Sequence, residues 1–360
     1  MTDLAQSPNP FRIITGSRLH FGLYRFAPKP NQVIANSSIE ATGQLRDLAT
    51  DSTEEPWYGG VGLMIQDPAT EIDFQPSGQL EIVGDPTGRV HDFVERWFIS
   101  TRHSNSEGFA GVESVKQLPV RVTVFRSPPQ HSGLGAGTQM ALVIGQGLTR
   151  FFFATDLAPE ELAKCVGRGL RSAVGTHGFF RGGLIVDRGK CRPNDLGVLD
   201  GAFRVPEPWR VVLIMHRDSS SIHGSRELQA FRDLPEIPVA TTQLMLQLTR
   251  EQIVPAILAE DFESFAKGIY SYGLAAGNCF RQIQGGPFAS ARAQSWVDRV
   301  RAWGFPGVGQ SSWGPTLFCL TPDSDSAGWL LEKVSESLDR PSETAMITRA
   351  QSESYQIETP

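Results

Sequence analysis

The residues most suited to chemistry lie in His131-Ser-Gly-Leu-Gly-Ala-Gly-Thr-Gln139. Val120, Val122 and Val124 precede the stretch with the period of a strand, and Met140, Ile144, Leu148 and Phe152 follow it at a helix spacing. Between them Gly133, Gly135 and Gly137 let the backbone turn tightly and approach a ligand closely. Main-chain N–H groups at the start of a helix are unpaired and sit at the positive end of its dipole, so such a loop suits phosphate or diphosphate. His131, Ser132, Gly133, Leu134, Gly135, Ala136, Gly137, Thr138 and Gln139 are therefore candidate binding residues. The alternative is a strand-to-helix turn that binds nothing. The spacing is not that of a dinucleotide fingerprint, and the missing Gly-Lys-Ser/Thr ending excludes a Walker A loop.

Charged residues near this loop extend the pattern. Arg168 and Arg171 stand three apart on a predicted helix and would share a face, where guanidinium groups suit phosphate or carboxylate; a solvated basic face is the bland alternative. Arg18 and His20 alternate along a predicted strand, so both project to one side. Asp187 ends a strand, either as a turn residue or as a carboxylate for magnesium diphosphate or an arginine. Gly175 and Thr176 belong to a second glycine-bearing stretch, and Gln310, Ser311 and Ser312 to a late glycine loop as hydrogen-bond donors. Weaker candidates are His177, Arg181, Trp313 as a stacking or core residue, and His223, Arg226 and Glu227 in a lid or an ordinary helix entry.

The elements that must position these residues can be read coarsely. Residues 11–26 read as two short strands broken at Gly16, and the polar stretch to about Pro56 as a loop. Strands are expected at Gly59–Ile65, Ile72–Ile82, Gly183–Val186, Trp209–Met215 and Leu317–Leu320. Helices are expected at Val90–Thr101, from Pro159 towards Val174, and at about 241–258, 261–276 and 290–303. The residues from about 349 onward are a strand or a tail, and a domain boundary falls near residue 205.

The 360 residues, 40 % hydrophobic and 20 % charged, describe a folded chain long enough for two modest domains. A net charge of −6 argues against broad nucleic-acid binding while permitting a local basic pocket. Four cysteines without CxxC spacing indicate neither zinc nor a disulfide framework, and no apolar run reaches membrane-helix length. A cytoplasmic protein with no membrane partner is expected.

Four motifs in order, Ser17-Arg-Leu-His-Phe-Gly22, His131 to Gln139, Arg168-Gly-Leu-Arg-Ser-Ala-Val-Gly175 and Gly307-Val-Gly-Gln-Ser-Ser-Trp-Gly-Pro315, resemble the GHMP superfamily of small-molecule kinases. Within it they are most similar to the beta-ribofuranosylaminobenzene 5′-phosphate synthases of methanopterin biosynthesis. The resemblance implies an α+β, two-domain GHMP-kinase-like fold. Residues 1–205 would form a ribosomal-protein-S5-like phosphate-binding domain and 206–360 a ferredoxin-like domain, with the site in the cleft between them. It further implies condensation of 5-phosphoribosyl 1-diphosphate with 4-aminobenzoate or 4-hydroxybenzoate, releasing carbon dioxide and diphosphate, with Mg2+ accompanying the diphosphate, and a homodimer. No metal ligand can be assigned from the sequence. On that view Arg18, His20, Arg171 and Asp187 are the catalytic candidates, and the others contact substrate.

The chain also departs from the kinases of the superfamily. Their Gly-Leu-Gly-Ser-Ser is here Gly133-Leu-Gly-Ala-Gly137, and the region of their acceptor-activating Asp reads Ser172-Ala-Val-Gly-Thr-His177. Phosphate binding is retained and phosphoryl transfer is not expected. The alternatives are an ATP-dependent small-molecule kinase and a non-catalytic phosphate-ligand regulatory protein.

Overall fold

A computed structural model describes residues 9–26, 36–39, 45–48, 57–104, 109, 112–190, 195–216 and 237–359. Its first sheet runs in the order β13-β1-β4-β6-β5, with β7 and β8 attached through β4. Here β1 is Phe11–Phe26, β4 Trp57–Pro76, β5 Glu81–Val83, β6 Val120–Arg126, β7 Leu184–Asp187, β8 Leu199–Phe203 and β13 Gln356–Glu358. A separate ribbon pairs β2 (Asn36–Ile39) with β3 (Leu45–Leu48).

Two expected breaks turn out to be continuous strands. The ladder between β1 and β4 slips at Gly16 and resumes, so β1 is one strand carrying a bulge. Glycine is required there: a Cβ would stand 1.9 Å from the Ile65 carbonyl oxygen. Likewise β4 runs on through residues 66–71, its first half pairing β7 and its second half β6.

The helix α2 (Ala136–Phe153) is buried on almost every side, which its apolar sequence requires. Gly147 lets the Phe74 ring of β4 lie against it, and α1 (Arg89–Ser104) packs alongside, Trp97 Nε1 donating to Thr149 Oγ1 at 2.9 Å. Helix α3 (Pro159–Cys165) is short, and α4 (Val174–Arg181) follows after a loop.

The second sheet has the order β10-β11-β9-β12, from Val308–Gln310, Leu317–Thr321, Arg210–His216 and Glu343–Thr348. The helices Phe262–Cys279, Ala291–Ala302 and Ser324–Ser337 belong to this half of the chain. The helix Ser324–Ser337 and β12 add to the elements expected from the sequence. A shared core joins Leu19, Phe21 and Tyr24 of β1 to Leu213, Phe265, Tyr272 and Phe318. After β12 the chain returns to the first sheet, where β13 pairs β1. No helix among the described residues is long and apolar enough to cross a membrane.

Candidate active site

The three glycines form the floor of a cavity of about 560 Å³. Five guanidinium groups face it: Arg18 from β1, Arg89 and Arg96 from α1, and Arg168 and Arg171 from the loop before α4. No Asp or Glu is among its described lining residues. Gly135 is the N-cap of α2 with φ +74°, so the helix's unpaired first N–H groups and its positive dipole end meet this ring of cations. An anion of high charge is what such a surface accommodates.

The glycines also make room for the arginines. A Cβ on Gly135 would lie 3.1 Å from Arg18 Nε, one on Gly137 2.5 Å from an Arg89 terminal nitrogen, and one on Gly167 3.0 Å from Arg96. The Phe93 ring carries Arg89 and Arg168, their guanidinium carbons 5.6 and 4.9 Å from its centroid. Arg89 also donates to Gln130 Oε1. Burial lowers the pKa of Arg89 and Arg96 adds to that, with Asp85 and Asp92 opposing; a guanidinium nevertheless stays charged at neutral pH.

The Arg89 guanidinium occupies the space that a side chain at Gly137 would take. Gly137→Ala should therefore act in two opposite directions. Alanine favours the helix by about 1 kcal/mol over glycine, so thermal stability should hold or rise. The displaced Arg89 should weaken binding of a diphosphate ligand at least tenfold, as read by calorimetry. Unchanged affinity would remove Arg89 from the binding surface.

Arg18 and His20 reach the cavity side by side, as their alternation requires. His20 Nδ1 accepts from the Gly22 N–H at 3.2 Å, which leaves its proton on Nε2, 3.0 Å from Ser172 Oγ. Burial, with Arg18 and Arg171 nearby, holds its pKa well below the ordinary value. His20 is thus a neutral imidazole with both nitrogens engaged, which fits positioning better than proton abstraction.

Ser172 Oγ lies 3.4 Å from Asp187 Oδ2, which also accepts from the Ala173 N–H at 2.6 Å; Oδ1 accepts from the Gly189 N–H at 2.9 Å. Asp187 is fully buried and does not line the cavity, which favours its reading as a turn residue over one as a carboxylate for magnesium diphosphate. Its carboxyl instead fixes the entry to α4 and, through Ser172, the His20 ring. Among the described residues no group of three or more His, Cys, Asp or Glu is placed to hold a metal. A cavity of guanidinium groups does not fit a protein-held Mg2+, which would have to be coordinated by substrate oxygens and water.

Burial raises the Asp187 pKa from 3.8 to about 7 against the pull of its hydrogen bonds. Between those values the native chain keeps a proton that the unfolded chain has released, so this group's contribution to stability declines as pH rises through the window. Going from pH 5 to pH 8, the wild type should lose about 2–3 kcal/mol more than Asp187→Asn in urea unfolding. Buried His20 and His177 act oppositely below pH 6.5 and are present in both proteins. Equal losses would contradict the assignment.

Ser311 is also a fastening group rather than a substrate contact. It is fully buried; its Oγ donates to the Gly133 carbonyl at 2.7 Å and accepts the His20 N–H at 3.1 Å. With Ser312 N–H on the His20 carbonyl at 2.8 Å, it ties the late loop to β1 and the glycine loop. Gln310 Oε1 accepts the Ala289 N–H and its Nε2 donates to the Ser312 carbonyl, so Gln310 is taken up by its own loop. Gln139 is buried between Thr15 and the Gly175 carbonyl, and Leu134 is core. Gly175 and Thr176 lie within α4, where Gly175 admits Thr138 of α2. None of these six lines the cavity. His177 is buried, its Nε2 2.7 Å from the Gly197 carbonyl oxygen.

The structure does bring Arg18, His20, His131, Ser132, Gly133, Gly135, Ala136, Gly137, Thr138, Arg168, Arg171 and Ser312 to one cavity. Arg168 and Arg171 arrive there from a loop, because α3 ends at Cys165 and Gly167 and Gly169 take φ of +66° and +74°. Arg89, Arg96, Gln130 and Ser172 were missed as site residues. The available signal is the seven-residue spacing between Arg89, just before the helix predicted from Val90, and Arg96 within it, which puts both on one face once the helix starts at Arg89. The possible lid residues 221–227 lie outside the described residues.

Comparison with known proteins gives relatives in sequence and neighbours in fold. No family model matches the chain. It is 24 % identical to the beta-ribofuranosylphenol 5'-phosphate synthase of Methanothermobacter thermautotrophicus over 279 residues, covering 74 % of this chain and 82 % of that protein. The enzyme of that name from Archaeoglobus fulgidus is 26 % identical over 283 residues, covering 75 % and 82 %. Among solved structures, homoserine kinase from Cytophaga hutchinsonii aligns with a TM-score of 0.65 at 12 % identity, over 99 % of this chain and 100 % of that one. Mevalonate pyrophosphate decarboxylase from Streptococcus pyogenes gives 0.62 at 11 %, over 97 % and 98 %. The chain is an α+β protein with the fold of these kinases and decarboxylases, and its sequence is similar to the beta-ribofuranosylphenol 5'-phosphate synthases.

Proposed function

We propose that the protein is a decarboxylating phosphoribosyl transferase that joins 5-phosphoribosyl 1-diphosphate to a 4-substituted benzoate through a carbon–carbon bond. The observation that carries this reading is the set of five guanidinium groups around the glycine loop, with no carboxylate among the described lining residues. The synthase relatives supply the reaction class, and the phenol in their name makes 4-hydroxybenzoate the first acceptor to test, with 4-aminobenzoate as the comparison.

The chemistry asks for fixed charge and orientation rather than a strong base. The ribose C1–O bond breaks, and diphosphate leaves with the electron pair towards the arginines and the α2 N-terminus. The ring carbon bearing the carboxylate bonds to C1, and positive charge spreads to the para oxygen or nitrogen. The C–CO2 bond then breaks, its electron pair restores the aromatic ring, and carbon dioxide departs. No net proton transfer is required, in keeping with a His20 whose nitrogens are both engaged.

Kinase chemistry is disfavoured because Arg89 fills the space that a serine at position 137 would need and no acidic residue is among the cavity's described lining residues. The reading is tested by diphosphate release. 5-phosphoribosyl 1-diphosphate with 4-hydroxybenzoate and Mg2+ should release diphosphate in proportion to the acceptor. ATP turnover with small alcohols, and no acceptor-dependent diphosphate, would replace it with the kinase reading.

A further inference from the structure

A second, smaller crevice opens beside the arginine cavity, and the two share His20, Leu23, Ser312 and Trp313. Its character is different: its described lining residues include no ionised side chain, and Phe280, Phe288, Pro287 and Trp313 supply apolar walls. Phe280 and Trp313 meet edge to face with ring centroids 4.5 Å apart. The crevice is bounded by β1 at Phe21–Leu23 and by the end of the helix Phe262–Cys279. Gly273 leaves room there, since the nearest atom to a Cβ at that position would be 3.7 Å away.

One polar group in this wall has an unused atom. Gln284 Oε1 is buried and has no hydrogen-bond partner among the described residues. Gln310, the other amide, has both ends engaged, and the His20 ring is held by Gly22 and Ser172. A buried carbonyl oxygen without a donor costs about 1–3 kcal/mol. A ligand bearing an N–H or O–H would recover that cost.

We infer that this crevice is the aromatic acceptor subsite, with Gln284 Oε1 receiving the hydrogen of the para hydroxyl or amino group. The inference rests on the proposed reaction and assigns the ring its place within it. The crevice offers about 50 Å³. That is well below the roughly 150 Å³ apolar cavity that encloses a benzene. Only the para end of the ring enters, and the carboxylate-bearing carbon stays at the shared mouth beside Trp313, facing the arginine cavity where the ribose C1 must lie.

The para group becomes positively charged as the carbon–carbon bond forms, so a carbonyl acceptor stabilises the transition state more than the ground state. A neutral acceptor takes O–H or N–H alike. Gln284 is therefore a specificity-determining residue for a para donor, not for oxygen over nitrogen.

The test is calorimetric binding of 4-hydroxybenzoate, 4-aminobenzoate, 4-methoxybenzoate and benzoate to the full-length protein, with and without 5-phosphoribosyl 1-diphosphate. The two donor-bearing acids should bind about tenfold more tightly than the methoxy and unsubstituted acids, the effect of one buried hydrogen bond. Gln284→Leu should erase that difference while leaving the affinity for 5-phosphoribosyl 1-diphosphate unchanged, which also reports that the variant is folded. Equal binding of all four acids to the wild type overturns the assignment without any variant, as does discrimination that survives in Gln284→Leu. Discriminating binding without carbon dioxide release would keep the subsite and sink the reaction. Release at the same rate with the same acid preference in Gln284→Leu would keep the reaction and sink the subsite.

Discussion

Arg18→Met is expected to raise the KM for 5-phosphoribosyl 1-diphosphate about a hundredfold, the loss of one or two charge-assisted hydrogen bonds at 1.5–3 kcal/mol each. Methionine keeps an apolar stem of similar length, so packing against Gly135 is retained. The backbone N–H of residue 18 still donates to the Leu134 carbonyl at 2.9 Å, which keeps β1 fastened to the glycine loop. Arg121→Met, at an exposed pair with Glu81 on β6, is the control and should leave the kinetics unchanged. A wild-type KM for Arg18→Met, in a protein of normal stability, would take Arg18 out of the binding surface.

Gly135→Val should have the larger effect and abolish measurable donor binding. Residue 135 has φ +74°, which costs a side-chain-bearing residue roughly 1–2 kcal/mol. The new Cβ would come within 3.1 Å of Arg18 Nε and 3.3 Å of its Cβ, so the valine methyl groups must push Arg18 aside and cover the helix start. Its neighbours are a flexible side chain, so the fold should survive with a Tm several degrees lower. Gly133→Val makes a different contact: its Cβ would meet the Ser311 carbonyl oxygen at 2.4 Å, which is backbone. That variant should lose stability as well as binding. Calorimetric titration beside a thermal melt separates the two, and donor affinity retained in Gly135→Val would return the loop to a mere turn.

The parts of the site legible in the sequence are those fixed by local periodicity. The alternation of Arg18 and His20 put both on one side of a strand, and the switch from period two to period four around the glycines marked the loop at the start of α2. The order of motifs carried the superfamily fold. What local pattern could not supply was which polar residues are spent on structure. Asp187, Ser311 and Gln139 look like site residues in sequence, yet each is fully buried and satisfies backbone or side-chain groups from distant segments.

The helix expected to run from Pro159 towards Val174 ends at Cys165 for a local reason. Gly167 and Gly169 adopt left-handed conformations and turn Arg168 and Arg171 into loop residues. Arg89 and Arg96 were hidden differently. The sequence predicts most of their helix, but only the tertiary packing of α1 against α2 brings its basic face to the glycine loop. Strand β4 was read as two because residues 66–71 lack the apolar character of its ends, although its pairing continues from β7 to β6.

The proposed role of the arginine cavity is carbon–carbon bond formation with loss of the aromatic carboxylate. The most direct measurement is release of labelled carbon dioxide from carboxyl-labelled 4-hydroxybenzoate and 4-aminobenzoate, with and without 5-phosphoribosyl 1-diphosphate and Mg2+. Release that requires the phosphoribosyl donor, with one diphosphate formed for each carbon dioxide and a strong loss in Arg18→Met, is the predicted result. No release from either acid by a folded protein that binds 5-phosphoribosyl 1-diphosphate would contradict it.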